Sequence, residues 1–320
     1  MRLNENIAVS TPKVLLVPYE ARHVLKYHEW MQDPAIREAT ASDQLSLDEE
    51  YENQLSWRAS ADKLTFIVCE PLSDIRGDAD DDNGPDRSEN DGGGSESVAA
   101  GEVDTPERMI GDVNLFLTPW EEEEEDPDDE SENGAVRPQE TPAKASGGGY
   151  GDSDEENAVY CNGEVDIMIA SPDHRGKGLG KAAVAAFLLF VRRNLGGILA
   201  EYGGSMHLQS QLHGHAQTQT QAQTQTLPGA APTPSKNPKL KDMVAKINAE
   251  NAGSIALFKG LGFRQRGEVN YFGDIELALE GFGDDNSYAR ETGTAAPVWA
   301  AGMTGEEYHE IPPPPSTGTE

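Results

Sequence analysis

The sequence predicts an α/β domain, a sheet flanked by helices and interrupted by long acidic insertions. Three observations carry that expectation. Short β-rich apolar runs are interspersed with segments of helical character. A Gly-rich turn stands between an apolar strand and a helix that is apolar nearly all round. Acidic charge is gathered into blocks with neither helical nor strand periodicity.

Taken in order, Val14-Leu15-Leu16-Val17-Pro18 is a short strand, followed by a helix over 21–31 that ends at the breaker Asp33-Pro34. A second helix over 48–57 carries acidic residues in its first turn, where the helix dipole favours them. Strands are expected at 64–69, 109–117 and 163–169, then the turn, then a helix over 179–194 that must bury itself against a sheet. A strand at 240–247, a helix at 254–260 capped through Gly262, and a hairpin of 264–269 with 272–279 complete the pattern. Without insertions the order is β-α-α-β-β-β-α-β-α-β-β over about 180 residues, enough for one core.

The chain has 320 residues, 36% hydrophobic, with 25 basic and 57 acidic side chains and a net charge of −32. Residues 71–107 hold 12 acidic against 2 basic side chains, 119–160 hold 15 against 2, and 281–320 hold 7 against 1. Most of the charge therefore lies outside the presumed core. One domain over 1–280 is expected, with disordered insertions at about 73–106, 119–160 and 197–237 and a disordered acidic, Pro-rich tail at 281–320. Such charge argues against nucleic acid as a partner, since a phosphate backbone needs a basic footprint. It suits a basic protein partner, although solvated loops without a partner explain it equally. Two cysteines, Cys69 and Cys161, form neither a disulfide framework nor a metal-spaced set, so no metal is expected. The longest apolar run, 182–191, is half of what a membrane span needs. A cytoplasmic protein without a membrane partner is expected, the nucleus remaining open.

The informative segment is Pro172-Asp173-His174-Arg175-Gly176-Lys177-Gly178-Leu179-Gly180-Lys181. Glycines allow close backbone approach, and a helix N-terminus offers unpaired N–H groups at a positive dipole end; together they cradle an anion such as a diphosphate. A dinucleotide fingerprint would need glycine where Lys181 stands, and a P-loop would need glycine at Arg175 and Ser or Thr at Ala182. Neither fits.

R-G-x-G-x-G after a strand resembles the acetyl-CoA loop of the GNAT acetyltransferase superfamily. Asn251-Ala252-Gly253-Ser254-Ile255-Ala256-Leu257-Phe258, running on to Gly262-Phe263, is similar to that superfamily's second signature. Met109-Ile110-Gly111-Asp112-Val113-Asn114-Leu115-Phe116, Glu164-Val165-Asp166-Ile167-Met168-Ile169-Ala170, Tyr27-His28-Glu29-Trp30-Met31 and the opening Met1-Arg2-Leu3-Asn4-Glu5-Asn6 resemble the eukaryotic N-acetyltransferase 9-like group. The resemblance implies a mixed, mostly antiparallel sheet and acetyl transfer from acetyl-CoA, in a ternary complex, to an amine of a protein or peptide. It places the pantetheine arm along Met168, Ile169 and Ala170, between parted strands. It places the diphosphate on the N–H groups around Arg175, Gly176, Gly178, Gly180 and Lys181, with Asn251 also near the cosubstrate.

An attacking amine must lose a proton, so a base is needed. Period-2 alternation puts Glu164, Asp166 and Met168 on one face of their strand, the two carboxylates about 6–7 Å apart, and Asp112 on the neighbouring strand can share that face. By resemblance Glu164 is the first candidate, then Asp166, then Asp112; a solvated or ion-paired role competes for each. Phe258 stands where many members have the Tyr that protonates the leaving thiolate, with Tyr271 a speculative replacement. His23, His28 and Trp30 fit helix packing better than catalysis. A rival reading is a non-catalytic acetyl-CoA-binding or protein-interaction module, recruiting partners through its loops and the prolines at 312–315.

Overall fold

From the strand Lys63–Cys69, the side chains of Leu64, Phe66 and Val68 enter one apolar cluster while those of Ile67 and Cys69 enter another. Both faces of the sheet are thus covered, as its continuous apolar runs require. The computed structural model describes residues 1–72, 98–120, 158–217, 237–283 and 308–311. Its strands are β1 (Ala8–Ser10), β2 (Leu15–Pro18), β3 (Lys63–Cys69), β4 (Met109–Pro119), β5 (Tyr160–Ile169), β6 (Lys239–Asn248), β7 (Arg264–Arg266), β8 (Asp274–Glu280) and β9 (His309–Ile311). They form one sheet in the order β7-β8-β6-β5-β4-β3-β2-β1-β9. Neighbours are antiparallel except β5 and β6, which are parallel. This is the mixed, mostly antiparallel sheet that the resemblance implies.

One face is covered by the long helix α4 (Leu179–Gln217) and the short α5 (Ala252–Lys259), which are numbered after the three helices of the other face. Ala183, Val184, Phe187, Leu188, Phe190 and Val191 of α4 are fully buried, and Phe66 meets Phe187 and Phe190 edge-on at 6.1 and 5.1 Å. Each such phenyl ring contributes on the order of 2–3 kcal/mol by leaving water. The opposite face carries α1 (Val24–Met31), α2 (Pro34–Ala39) and α3 (Leu47–Ala59). Ser46 and Glu49 close a capping box at the start of α3, and Trp57 packs edge-on against Phe116 of β4 at 5.5 Å.

Four sequence expectations are corrected. Asp33-Pro34 does break α1, but it also starts α2: Pro34 occupies the first helical position and the Asp33 carboxylate caps Ala35 N–H at 2.9 Å. The insertion at 197–237 is helical to Gln217, the rest lying outside the described residues. The helix runs on through the glycines at 196–197 and 203–204: a β-carbon on Gly197 would lie 2.6 Å from Leu3 and one on Gly203 2.7 Å from Pro238. They are close-approach positions inside a helix that buries Ile198, Leu199 and Tyr202. Of the insertion expected at 73–106, the described residues 98–106 are part of the domain. Its Asp104 is buried and accepts from Arg22 Nε at 2.9 Å, from His23 Nε2 at 2.8 Å and from Gly101 N–H. The tail at 281–320 supplies β9, which pairs with β1 and buries Tyr308 and Ile311. The expected insertion at 119–160 gives up its ends, Pro119 to β4 and Tyr160 to β5, and its residues 121–157, like the remainder of the other expected insertions, lie outside the described residues. Within α4, Leu179–Leu208 is long and apolar enough to cross a membrane by length and composition alone; 56% of its 18-residue apolar window is buried in the domain, which accounts for its apolarity.

Candidate active site

β5 and β6 pair only at one end. Their parallel ladder joins Tyr160–Glu164 to Lys239–Val244, and beyond it both strands continue, β5 to Ile169 and β6 to Asn248, without pairing to each other. Each keeps its outer neighbour, β4 and β8. A parallel pair that parts in mid-sheet exposes one row of backbone groups. Ala170 N–H bonds Ile110 C=O, so the alternation of the ladder turns the backbones of Met168 and Ala170 toward β4 and those of Ile167 and Ile169 into the opening. Of the three residues expected to line a pantetheine arm, Ile169 is therefore the one facing it. Its carbonyl and that of Ala170 accept from Arg175 Nε at 2.8 Å and Nη2 at 2.9 Å.

The Gly-rich turn sits at the end of β5, beside this opening. Gly176 and Gly178 have φ of +73° and +78°, and a β-carbon on either would meet nothing within 4 Å. That left-handed backbone with open space in front is what a close-bound anion needs. The first bond of α4 runs from Ala182 N–H to Gly178 C=O, leaving the amides of Leu179, Gly180 and Lys181 ahead of the helical ladder. Gly180 is a packing position: a β-carbon there would lie 3.0 Å from Leu257 of α5 and 3.5 Å from Ile169. Arg175 departs from expectation, because its amide is bonded to Pro172 C=O. Its contribution is the guanidinium that pins the end of β5. Asn251 caps α5, its Oδ1 accepting Ser254 N–H at 3.1 Å. A diphosphate fits this cradle, with the amides of Leu179, Gly180 and Lys181 as donors and the two left-handed glycines giving it room.

The three candidate carboxylates occupy the opposite side of the sheet from α4, as the alternation requires. Glu164 is paired with Lys246, Oε2 to Nζ 2.8 Å. Asp112 is 2% exposed; its Oδ2 accepts Asn114 Nδ2 at 2.8 Å and faces Tyr27 Oη of α1 at 3.5 Å, while Oδ1 is buried without a partner. Burial pushes its carboxyl up to about 6, against the opposing donors Asn114 and Tyr27. Asp166 is pushed up to about 7, first by burial and then by the charges of Glu164 and Asp112, with Lys246 opposing. In the ladder Asp166 stands opposite Asn114 and Met168 opposite Asp112. Met31, Ile36, Met168 and Ala170 form an apolar cluster beside them, edged by Tyr27 and Trp30. Glu50 of α3, also 2% exposed, lies near His28 at 4.0 Å, and burial raises its carboxyl with His28 opposing.

Phe258 is buried against Phe263, ring centroids 5.1 Å apart, and Tyr271 is 96% exposed on the turn between β7 and β8. Both cysteines are buried and burial drives their thiols up, Cys161 to about 12. His23 accepts Glu20 N–H at Nδ1, so its Nε2 carries the proton given to Asp104, a structural role. Sequence reasoning passed over Asn114, Tyr27 and Lys246. Asn114 was legible as the neutral amide on the same strand face as Asp112; Tyr27 and Lys246 required the tertiary arrangement.

A sheet parted between parallel neighbours, with a glycine cradle and a helix N-terminus at the parting, is the arrangement that the acetyltransferase resemblance implies. The chain belongs to the GNAT acetyltransferase family: the acetyltransferase (GNAT) domain matches residues 13–264. It is similar to the N-acetyltransferase 9-like protein of Schizosaccharomyces pombe, 33% identical over 87% of this chain and 98% of that protein. It is also similar to the alpha/beta-tubulin-N-acetyltransferase 9 of Drosophila melanogaster, 31% identical over 87% of this chain and 88% of that protein. Among solved structures, spermidine N-acetyltransferase from Vibrio cholerae, in complex with CoA and spermine, aligns over 85% of this chain and 97% of that one, at 12% identity and a TM-score of 0.43.

Proposed function

We propose that the protein transfers acetyl from acetyl-CoA to an amine of a protein or peptide, by direct attack in a ternary complex. The carrying observation is the opening between β5 and β6 beside the left-handed glycines and free amides of the α4 N-terminus. The amides of Leu179, Gly180 and Lys181 hold the diphosphate, and the backbone of Ile167 with the Ile169 amide holds the arm. Bound there, acetyl-CoA supplies an activated acyl carbon. The amine nitrogen bonds that carbon, the carbon–sulfur bond breaks, and the nitrogen's surplus proton passes to Asp166.

Asp166 suits that role better than Glu164, because Lys246 already neutralises Glu164 whereas Asp166 is poised near neutral pH. Attack without an acyl-enzyme is supported by cysteines whose thiols are buried and held protonated. On that face Asp166 and Glu164 are the partly exposed carboxylates, which suits a cationic acceptor. A protein acceptor is supported by the Drosophila relative, whose name assigns it tubulin. Phe258 has no proton to give, so the departing thiolate takes its own from water.

The test combines calorimetry with acetyl-CoA and a thiol-release assay with amine-bearing peptides. Saturable binding with thiol release dependent on peptide is expected. Binding without release for any peptide or protein amine would leave a cosubstrate-binding module instead, and no binding at millimolar acetyl-CoA would remove the reading.

A further inference from the structure

The buried polar atoms of β4 and β5 contain an acceptor without a donor. Asn114 is 6% exposed; its Nδ2 donates to Asp112 Oδ2 at 2.8 Å, which fixes the direction of the amide and turns Oδ1 away from Asp112. That Oδ1 is buried without a partner. Directly opposite Asn114 in the ladder is Asp166, on the same sheet face, and β-carbons so placed lie about 5 Å apart. An ionised carboxylate has only acceptors and cannot satisfy an amide oxygen, whereas a protonated one can. The groups facing Asp166 are Glu164 from its own strand, Asp112 from β4 and Lys246 from β6; Tyr27 of α1 reaches the set through Asp112.

We infer that Asn114 is a positioning residue that joins the two aspartates into one proton-sharing unit, donating to ionised Asp112 and accepting from protonated Asp166. Its fixed amide makes Asp166, rather than Asp112, the member of the pair that takes up a proton, and Asp166 is ionised before the amine attacks. When Asp166 takes the proton of the attacking amine, the acceptor for the new O–H is already in place, so little reorganisation accompanies the transfer. The catalytic purpose rests on the acetyl-transfer reading; the coupling itself is a property of the free protein. Asp166 is half-buried, and its carboxyl is raised first by desolvation and then by Glu164 and Asp112, in agreement with this pairing.

The test is a pH titration of the full chain labelled with ¹³C at aspartate and asparagine side chains, followed by NMR, with Asp166→Asn used for assignment. In the native protein the Asn114 amide carbon is expected to shift with the same midpoint as the Asp166 carboxyl. In Asn114→Ala the Asp166 midpoint is expected to fall by about one pH unit while that of Asp112 rises, reversing the order of the two steps. The acidic limb of kcat moves with Asp166 while KM for acetyl-CoA holds. An Asn114 carbon that stays flat through the Asp166 titration, a measurement needing no folded variant, overturns the inference; so do midpoints that move together in Asn114→Ala. Calorimetry with acetyl-CoA separates the two claims: coupling without binding sinks only the acetyl-transfer reading, and binding without coupling sinks only the role of Asn114.

Discussion

Replacing Gly178 by Asp tests the cradle with two separable effects. Gly178 has φ of +78°, where an L-residue is strained by roughly 1–2 kcal/mol. In a domain of this size that lowers the melting temperature by roughly 2–8 °C. Its β-carbon meets no protein atom within 4 Å, so the new side chain enters the space assigned to the diphosphate. A carboxylate about 5 Å from a phosphate charge, at an effective dielectric near 20, opposes binding by about 3 kcal/mol, a loss of more than roughly 100-fold. Gly267→Asp is the control: φ is +72°, nothing lies within 4 Å, and the site is on the turn after β7. Both variants should melt earlier by a similar amount in calorimetry. Only Gly178→Asp should lose acetyl-CoA in an isothermal titration. Native affinity in Gly178→Asp would refute the assignment of the diphosphate to this turn.

Asp104→Ala removes the acceptor shared by Arg22 and the fully buried His23, and should destabilise the domain by about 3 kcal/mol in urea unfolding; a change below about 1 kcal/mol would contradict its anchoring role. Burial raises the Asp104 carboxyl, but donors from His23, Arg22 and Gly101 outweigh it and hold it well below the ordinary range, so its contribution is present above about pH 4 and lost as pH falls. Asp166 has the opposite sign. Its folded value, about 7, exceeds the ordinary 3.8, so the native state keeps a proton that the unfolded chain has released, and stability should fall as pH rises from about 4 to 7. Asp166→Asn should flatten that slope in melting curves taken across this range; an unchanged slope would remove Asp166 as its source. Gly111→Ala places a β-carbon 1.9 Å from Met168 C=O, so β4 and β5 must separate beside Asp112, and unfolding should show a loss of at least about 3 kcal/mol. A native melting point would contradict the tight register there.

Much of the fold was legible because its signals are local. The turn at 172–181 joins a strand to an apolar helix, and both were placed from periodicity and glycine spacing alone. What escaped reading depends on distant partners. β9 is three residues long and becomes a strand only because the edge of β1 receives it. The extension of α4 through paired glycines depends on Leu3 and Pro238 filling the space that side chains would take. At the site, alternation put the carboxylates on a common face, as Glu164, Asp166 and Asp112 indeed share the face away from α4. Their ranking as bases was not legible, since it turns on Lys246, a strand away, neutralising Glu164 and on the partial burial of Asp166 beside the charges of Glu164 and Asp112. Likewise the sequence implied which residues border the opening, but only the ladder showed that Ile169, rather than Met168 or Ala170, turns its backbone into it.

The most direct measurement is an amide NMR titration of the ¹⁵N-labelled protein with coenzyme A. The largest shifts are expected at Leu179, Gly180 and Lys181, with Gly176 and Gly178 beside them and Ile169 at the end of the opening. Shifts confined to other parts of the sheet, or none at millimolar coenzyme A, would contradict the placement of the diphosphate at the start of α4.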